Sequence, residues 1–169
     1  MNPRFIQAVL ESTQSLFTTM LSSSVTFGTP KPTDQLTKHD VSGIIGLTGE
    51  VVGSVVLCLP ESTAIALTSK LAGTTLTMKS PDFADAVGEL INMVAGGAKS
   101  RFNCANVSIS CPTVVVANDH QVQNLSGTVC ITIPCHCAEG EFAVNLAIQP
   151  VGVRPAATGA GHGGSSTKR

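Results

Sequence analysis

Apolar side chains recur at helical spacing in three parts of the chain, and each part predicts a helix. The first, over residues 3–20, is amphipathic and is expected to cover a sheet. The second is a short helix over 61–72. The third is the longest: Ser80 is its predicted cap, Pro81 lies in its first turn, and it is expected to reach about Phe102.

The remaining apolar runs are short, rich in β-branched residues and bounded by turns, which is the pattern of β-strands. Six strands are predicted: 24–27, 41–48, 51–59, 107–117, 127–134 and 141–149. The prolines and charges of 28–40 predict a loop between the first two strands. In the last strand, large apolar residues alternate with small or polar ones, as in a half-covered antiparallel strand. Strands grouped around a block of two helices predict an α+β fold, an antiparallel sheet with helices packed on one face.

Length and composition favour one domain followed by a tail. A chain of 169 residues is long enough to bury an ordinary core. We expect a folded domain over 1–150 and a disordered tail over 151–169, because Gly, Ala, Ser and Thr dominate the last residues. No apolar run approaches the roughly 18 residues of a membrane helix. The first 20 residues also lack the apolar core of a secretory signal, so a cytoplasmic protein is expected.

The surface carries little charge, which favours a protein partner. Charged residues make up 12% of the chain, about half the usual share. The predicted domain has seven basic against eleven acidic residues, a net charge of about −4. A protein that binds nucleic acid through the phosphate backbone needs a basic face, so nucleic acid is an unexpected partner.

The six cysteines are interpreted as small, reduced core residues. A chain of this size does not need disulfides, and a reducing cytosol would keep the thiols free. The segment Cys135-His136-Cys137 lacks the Cys-x2-Cys pair that is typical of zinc sites, so no metal site is predicted. In a strand, Cys135 and Cys137 would share one face and His136 the other.

The third helix has two unlike faces. An apolar stripe predicts its core side: Phe83, Val87, Leu90, Val94 and Ala98. Asp85, Glu89, Asn92 and Gly96 share the opposite side, with Gly88 beside them. Each glycine costs such a helix about 1 kcal/mol relative to alanine, so we expect something to approach this side closely. Either another protein or the first helix of the same domain would fit.

The spacing Asp85-x3-Glu89-x2-Asn92-x3-Gly96 resembles the signature of the CheC and CheX phosphatases of bacterial chemotaxis. The surrounding elements follow the order of a CheX-like chain: a Gly-rich hairpin, a short helix, the motif helix, and then the segment 110–113. The resemblance covers residues 1 to about 150. It implies a CheC-like fold, in which helices cover an antiparallel sheet.

The number of motif copies distinguishes the two branches of that family. CheC-type proteins carry two copies, and this chain carries one, which is the CheX pattern. The nearest second candidate, Glu11-x2-Gln14, has glutamine in place of asparagine and is interpreted as a surface pair. CheX-like proteins dimerise by joining sheets edge to edge, which implies a homodimer. The strand 141–149 has neither Pro nor Lys, so we expect a strand from this C-terminal half to form the dimer seam.

The resemblance implies a phosphatase that acts on the aspartyl phosphate of a CheY-like receiver domain. The receiver holds its own Mg²⁺ and lysine beside the phosphoryl group, so no cofactor is expected in this chain. Asn92 would hold the attacking water, because a carboxamide offers a donor and an acceptor. Glu89 would pair with the receiver's lysine. Gly88 and Gly96 would let the receiver approach closely, and Asp85 is a docking contact or a surface acid.

A non-catalytic CheX-like module that binds a receiver without hydrolysis is the alternative function. The Glu-x2-Asn pair separates the two hypotheses, because a pure adaptor has no need for it. A flagellar-switch component of related fold is a third interpretation, and it is disfavoured because the chain has no additional domain.

Overall fold

The computed structural model describes residues 2–33, 39–104, 106–122 and 128–151. Its elements, in chain order, are α1 (Pro3–Thr19), β1 (Val25–Phe27), β2 (Lys31–Thr33), β3 (His39–Gly49), β4 (Val51–Leu59), α2 (Glu61–Ala72), α3 (Phe83–Arg101), β5 (Val107–Ile109), β6 (Thr113–His120), β7 (Cys130–Cys137) and β8 (Gly140–Pro150). The tail predicted over 151–169 lies outside the described residues, except for Val151.

One antiparallel sheet contains all eight strands. Its order is β1-β7-β8-β4-β3-β5, with β2 also paired to β7 and β6 also paired to β3. Alternate residues of the central strands join one apolar core with residues of all three helices, so the helices cover the same face. The predicted α+β architecture is therefore confirmed. Within the described residues, no helix has the length and apolar character needed to cross a membrane.

The start of α3 differs from the prediction. The helix begins at Phe83, with Asp82 as its N-terminal flanking residue. Ser80 closes a turn before the helix instead of capping it: its hydroxyl accepts the N–H of Thr77 at 2.9 Å, and its carbonyl accepts the N–H of Phe83 at 3.1 Å. The predicted cap is wrong because a hydroxyl engaged in the preceding turn is not free for the helix.

Prolines account for three further differences. The predicted loop 28–40 contains the short strand β2, because Pro32 is tolerated at a sheet edge, where no partner needs its missing N–H. The predicted strand 107–117 is interrupted before Thr113, next to Pro112. Pro134 does not end a strand as predicted, since β7 continues through it to Cys137.

The position of β8 excludes the strand 141–149 as the dimer seam. The strand lies between β7 and β4 and is hydrogen-bonded on both sides, so it offers no free edge. Its alternation has another cause: the outward side of β8 carries small or polar residues that are themselves largely buried, including Asn145 and Ala147. Alternation therefore marks two unlike faces of a strand and does not mark an edge.

The order of elements repeats along the chain. We call residues 3–59 the α1 half and residues 83–150 the α3 half, because each contains a helix, two edge strands and a hairpin in the same order. The edge strands β5 and β6 begin 82 residues after β1 and β2, at 107 and 113 against 25 and 31. Read from either edge, the sheet shows the same succession of elements, with β4 and β8 at its centre. The two halves are thus related by an approximate two-fold axis.

Candidate functional site on the third helix

An open groove of about 600 Å³ runs along the exposed side of α3. The helix forms one wall, and the segment from the end of β5 to the start of β6 forms the other. The lining residues are Ala84, Asp85, Gly88, Glu89, Asn92, Ile109, Ser110, Cys111, Pro112 and Val114. The groove brings together four of the five residues singled out from the sequence, and Gly96 is the one that does not line it.

Burial of the apolar side of α3 turns the side that carries the motif residues towards the groove. The five residues of the predicted apolar stripe are all buried, with at most 1% of their surface exposed. Glu89 and Asp85 are consequently exposed, and Asn92 is half-buried. The hydrophobic periodicity of one side of this helix therefore determines which polar groups face the groove.

The polar side chains of the motif have no partners among the described residues of their own chain. In the part of the chain that the structure describes, no hydrogen bond or ion pair involves the side chain of Asp85, Glu89 or Asn92. Two like-charged carboxylates one turn apart weaken a helix by a few tenths of a kcal/mol. A cationic group brought by another molecule would remove that cost, so the face is suited to a basic partner.

The glycines of α3 serve different purposes. A methyl group at Gly97 would lie 3.2 Å from the Cβ atom of Ser12, so packing against α1 explains this glycine. Gly88 is buried, and a methyl group there would lie 3.3 Å from the Cγ atom of Pro112. The close approach expected at Gly88 is thus made by the same chain. Of these glycines only Gly96 has room for an added methyl group, which would lie 4.0 Å from the Ile109 side chain, an ordinary van der Waals distance.

Sequence reasoning missed the second wall of the groove. The sequence pattern predicts residues 110–112 within a strand, whereas they lie between two strands. Pro112 was the available signal, because a proline inside an apparent strand indicates an edge or an interruption. The prediction that Cys111 is a core residue is wrong, because it is exposed on this wall.

The other cysteines fit the predicted interpretation better. Cys58, Cys130 and Cys135 are buried, and Cys104 and Cys137 are half-buried. Burial raises the pKa of Cys58 and of Cys135 to about 12, which keeps both thiols protonated and unreactive. His136 is exposed on the opposite side of β7 from Cys135, as the strand periodicity predicted. Among the described residues, no three potential metal ligands lie close enough to hold an ion.

A second groove, of about 410 Å³, lies along α1. Its lining residues are Gln7, Leu10, Glu11, Gln14, Ser15 and Phe27. The 82-residue interval of the repeat places Gln7 at the position of Glu89 and Leu10 at the position of Asn92. Glu11 and Gln14 therefore do not occupy the positions of the motif pair, which agrees with their interpretation as surface residues.

Comparisons with known proteins agree with this fold. The family model named Chemotaxis phosphatase CheX matches residues 41–136. The CheY-P phosphatase CheX of Thermotoga maritima is 26% identical over 157 residues, which are 90% of this chain and 100% of that protein. A CheC-like superfamily protein from a Shewanella species has a TM-score of 0.80 and 29% identity, over 88% of this chain and 99% of the other. The CheX of a CheX–CheY–BeF3–Mg²⁺ complex from Borrelia burgdorferi shares the fold, with a TM-score of 0.71 and 23% identity, over 86% and 97% of the two chains.

Proposed function

The chain belongs to the CheX family of chemotaxis phosphatases, and we propose that it dephosphorylates the aspartyl phosphate of a CheY-like receiver domain. The observation that carries the proposal is the unpartnered pair Glu89 and Asn92 on one side of a preformed groove. The Thermotoga relative is named a CheY-P phosphatase, and the Borrelia complex contains CheY, which supports a receiver as the partner. The proposed reaction takes place in the cytoplasm, the compartment expected from the sequence.

Asn92 is the proposed catalytic residue. The carboxamide accepts a hydrogen bond from a water and donates one to it, and so holds the water in line with the bond between phosphorus and the aspartyl oxygen. Attack by this water breaks that bond and releases inorganic phosphate, leaving the receiver's carboxylate free. The receiver contributes its own Mg²⁺ and lysine to neutralise the phosphoryl oxygens, and this chain contributes no cofactor.

Glu89 is the proposed docking residue. It lies three residues before Asn92 on the same exposed side of α3, so an ion pair between Glu89 and the receiver's lysine would direct Asn92 to the phosphoryl group. Asp85 lies one further turn towards the start of α3 and adds a second acidic contact for a basic partner surface. Gly96, where an added methyl group would meet no atom closer than 4.0 Å, leaves room for the partner's backbone.

Phosphate release from a receiver charged with acetyl phosphate tests this function. The wild-type chain should accelerate release, and Asn92→Ala should lower the assisted rate by about tenfold to a hundredfold, as expected for one lost positioning group. Gln14→Ala, an equivalent truncation on the exposed side of α1, is the matched control and should retain full activity. Binding of the charged receiver without faster release would support the adaptor alternative instead.

Self-association through β6 is part of the proposal. Among the described residues only β3 pairs with β6, so β6 is an edge strand. It contains neither Lys nor Pro, and Val116 on it is 41% exposed. Such an edge favours pairing with a second copy. Light scattering should report about twice 17.3 kDa, and Val116→Lys should shift the mass towards the monomer. A monomeric wild-type chain would contradict the homodimer without affecting the proposed chemistry.

A further inference from the structure

The second wall of the groove is a bulge in the sheet edge. Ile109 pairs with Leu47 and Thr113 pairs with Ile44, so three residues, 110–112, lie opposite only two residues of β3. The extra residue pushes the chain out of the sheet, and the bulge lines the groove opposite the exposed side of α3. A bulge of this kind needs fixed attachment points if it is to present a defined surface.

Ser110 supplies three hydrogen bonds that fix the bulge. Its N–H donates to the carbonyl of Gly46 at 2.9 Å, and its Oγ accepts the N–H of Gly46 at 3.0 Å. The same hydroxyl donates to the carbonyl of Cys111 at 2.7 Å. One side chain thus joins the bulge to β3 and also orients the peptide that follows. At the far end, Pro112 packs over Gly88 of α3.

The α1 half has an equivalent bulge without this attachment. Residues 28–30 lie between β1 and β2 as 110–112 lie between β5 and β6, and the N–H of Gly28 donates to the carbonyl of Pro134 at 2.8 Å. Pro134 stands where Gly46 stands in the α3 half, and it has no N–H that could donate to a side chain. A side chain at Gly28 would also be crowded, because a methyl group there would lie 3.2 Å from the Cβ atom of Pro134. The hydroxyl link therefore exists only in the half that carries Glu89 and Asn92.

We infer that Ser110 is a positioning residue for receiver docking: its hydroxyl holds the bulge 110–112 as a rigid second wall, so that the receiver is gripped between this wall and α3. The inference rests on the proposed function and adds a residue outside the motif. Ser110 acts through the backbone of Cys111 and the position of Pro112. Its loss should therefore weaken docking and leave the Asn92 chemistry intact.

Binding and turnover of Ser110→Ala test the inference. For a receiver charged with beryllofluoride and Mg²⁺, calorimetry should show a Kd raised about threefold to tenfold, while kcat for the phosphorylated receiver stays within about twofold. Ser110→Thr keeps the hydroxyl and should restore the Kd. Amide hydrogen exchange at Gly46 should accelerate in Ser110→Ala, because that N–H loses its acceptor.

Gly88→Ala is an independent variant that disturbs the same wall from the other side. The added methyl displaces Pro112, yet alanine favours the helix, so the melting temperature should hold or rise while the Kd increases. An unchanged Kd in Ser110→Ala would overturn the inference about Ser110 but not the proposed phosphatase function. This holds whether or not exchange at Gly46 becomes faster. A wild-type chain that binds the charged receiver without hydrolysing it would overturn the phosphatase alone, and one that binds no receiver would overturn both.

Discussion

The grooves along α1 and α3 occupy equivalent places in the repeat, but their polar groups are satisfied in opposite ways. In the α1 groove, Glu11 accepts a hydrogen bond from Gln7 at 2.9 Å and lies 3.5 Å from the guanidinium of Arg101. Arg101 also donates to the hydroxyl of Ser15 at 3.3 Å. In the α3 groove, the described residues offer Glu89 and Asn92 no such partner.

This difference separates the two grooves more clearly than residue type does, and it favours the α3 groove as the proposed receiver site. Both helices present an acid and a carboxamide to solvent, so composition alone does not separate them. A groove whose polar groups already bind one another has little to gain from a partner, because each existing contact must first be broken. A groove whose polar groups contact only solvent has no internal contact to break, so a partner must displace only water.

Exchanging the key residues of the two grooves should have the largest effect. Asn92→Leu gives α3 the residue that α1 carries at Leu10, and we expect the assisted rate to fall by about tenfold to a hundredfold. Leu10→Asn in the Asn92→Leu background should not restore it, because Gln7, at the position of Glu89, has no carboxylate and already donates to Glu11. Phosphate release measures both variants. Recovery of activity in the double variant would show that the internal partners do not silence the α1 groove.

Removing one acid from each groove should have a smaller effect. Glu89→Gln is expected to raise KM by about tenfold with little change in kcat, because a charge-assisted contact to the receiver is lost. Glu11→Gln is the control on α1 and should leave KM unchanged. Steady-state kinetics at two salt concentrations would check the assignment, since only the Glu89 contribution should weaken with salt. Equal effects of the two variants would contradict the distinction between the grooves.

Two adjacent glycines of α3 should respond to alanine with opposite signs. Gly96→Ala adds a methyl that meets no atom closer than 4.0 Å and should raise the free energy of unfolding by about 1 kcal/mol. Gly97→Ala would press on Ser12 of α1 and should lower it by about 1–3 kcal/mol. Urea denaturation measures both. A loss of stability in Gly96→Ala would mean that this position is packed rather than open.

Acid should have the smallest effect, at the sheet edge beside the α3 groove. Burial, with His120 nearby, lowers the pKa of His39, whereas Asp40 raises it by a lesser amount. The folded state therefore binds this proton less readily than the unfolded state. The contribution of His39 to the free energy of unfolding is complete above about pH 6.5 and is lost as the pH falls below that value. Strand β6 pairs with His39 through His120, so the protection of its amides against hydrogen exchange, taken relative to the intrinsic rate at each pH, should be lower at pH 5.5 than at pH 7.5. The edge strand β1 should change less.

The motif face of α3 was predictable because a helix is a local structure. The buried stripe and the exposed motif both follow from a period of 3.6 residues, and the glycines stand out against it. The second wall was not predictable, because it depends on register: three residues at 110–112 oppose two residues of a strand far away in sequence. Periodicity within one segment carries no information about its partner's register.

The strand 141–149 is excluded as the dimer seam for a related physical reason. The alternation of 141–149 correctly predicts a strand, but the neighbours of that strand are chosen by the whole sheet. Likewise, Pro32 and Pro134 predict breaks from local sequence, although each lies within a strand once its neighbours are known. Only the repeat, visible after folding, shows that Leu10 rather than Gln14 is the counterpart of Asn92.

The hydroxyl of Ser12 on α1 holds α3 in place next to Asn92. It donates to the carbonyls of Met93 at 3.3 Å and Val94 at 2.8 Å, the two residues that follow Asn92. The helix is braced from behind at the point where a bound receiver would press on it. If Asn92 is to hold a water in a fixed position, its own backbone must be held in a fixed position too. Through these two hydrogen bonds, helix α1 restrains the helix that carries the motif.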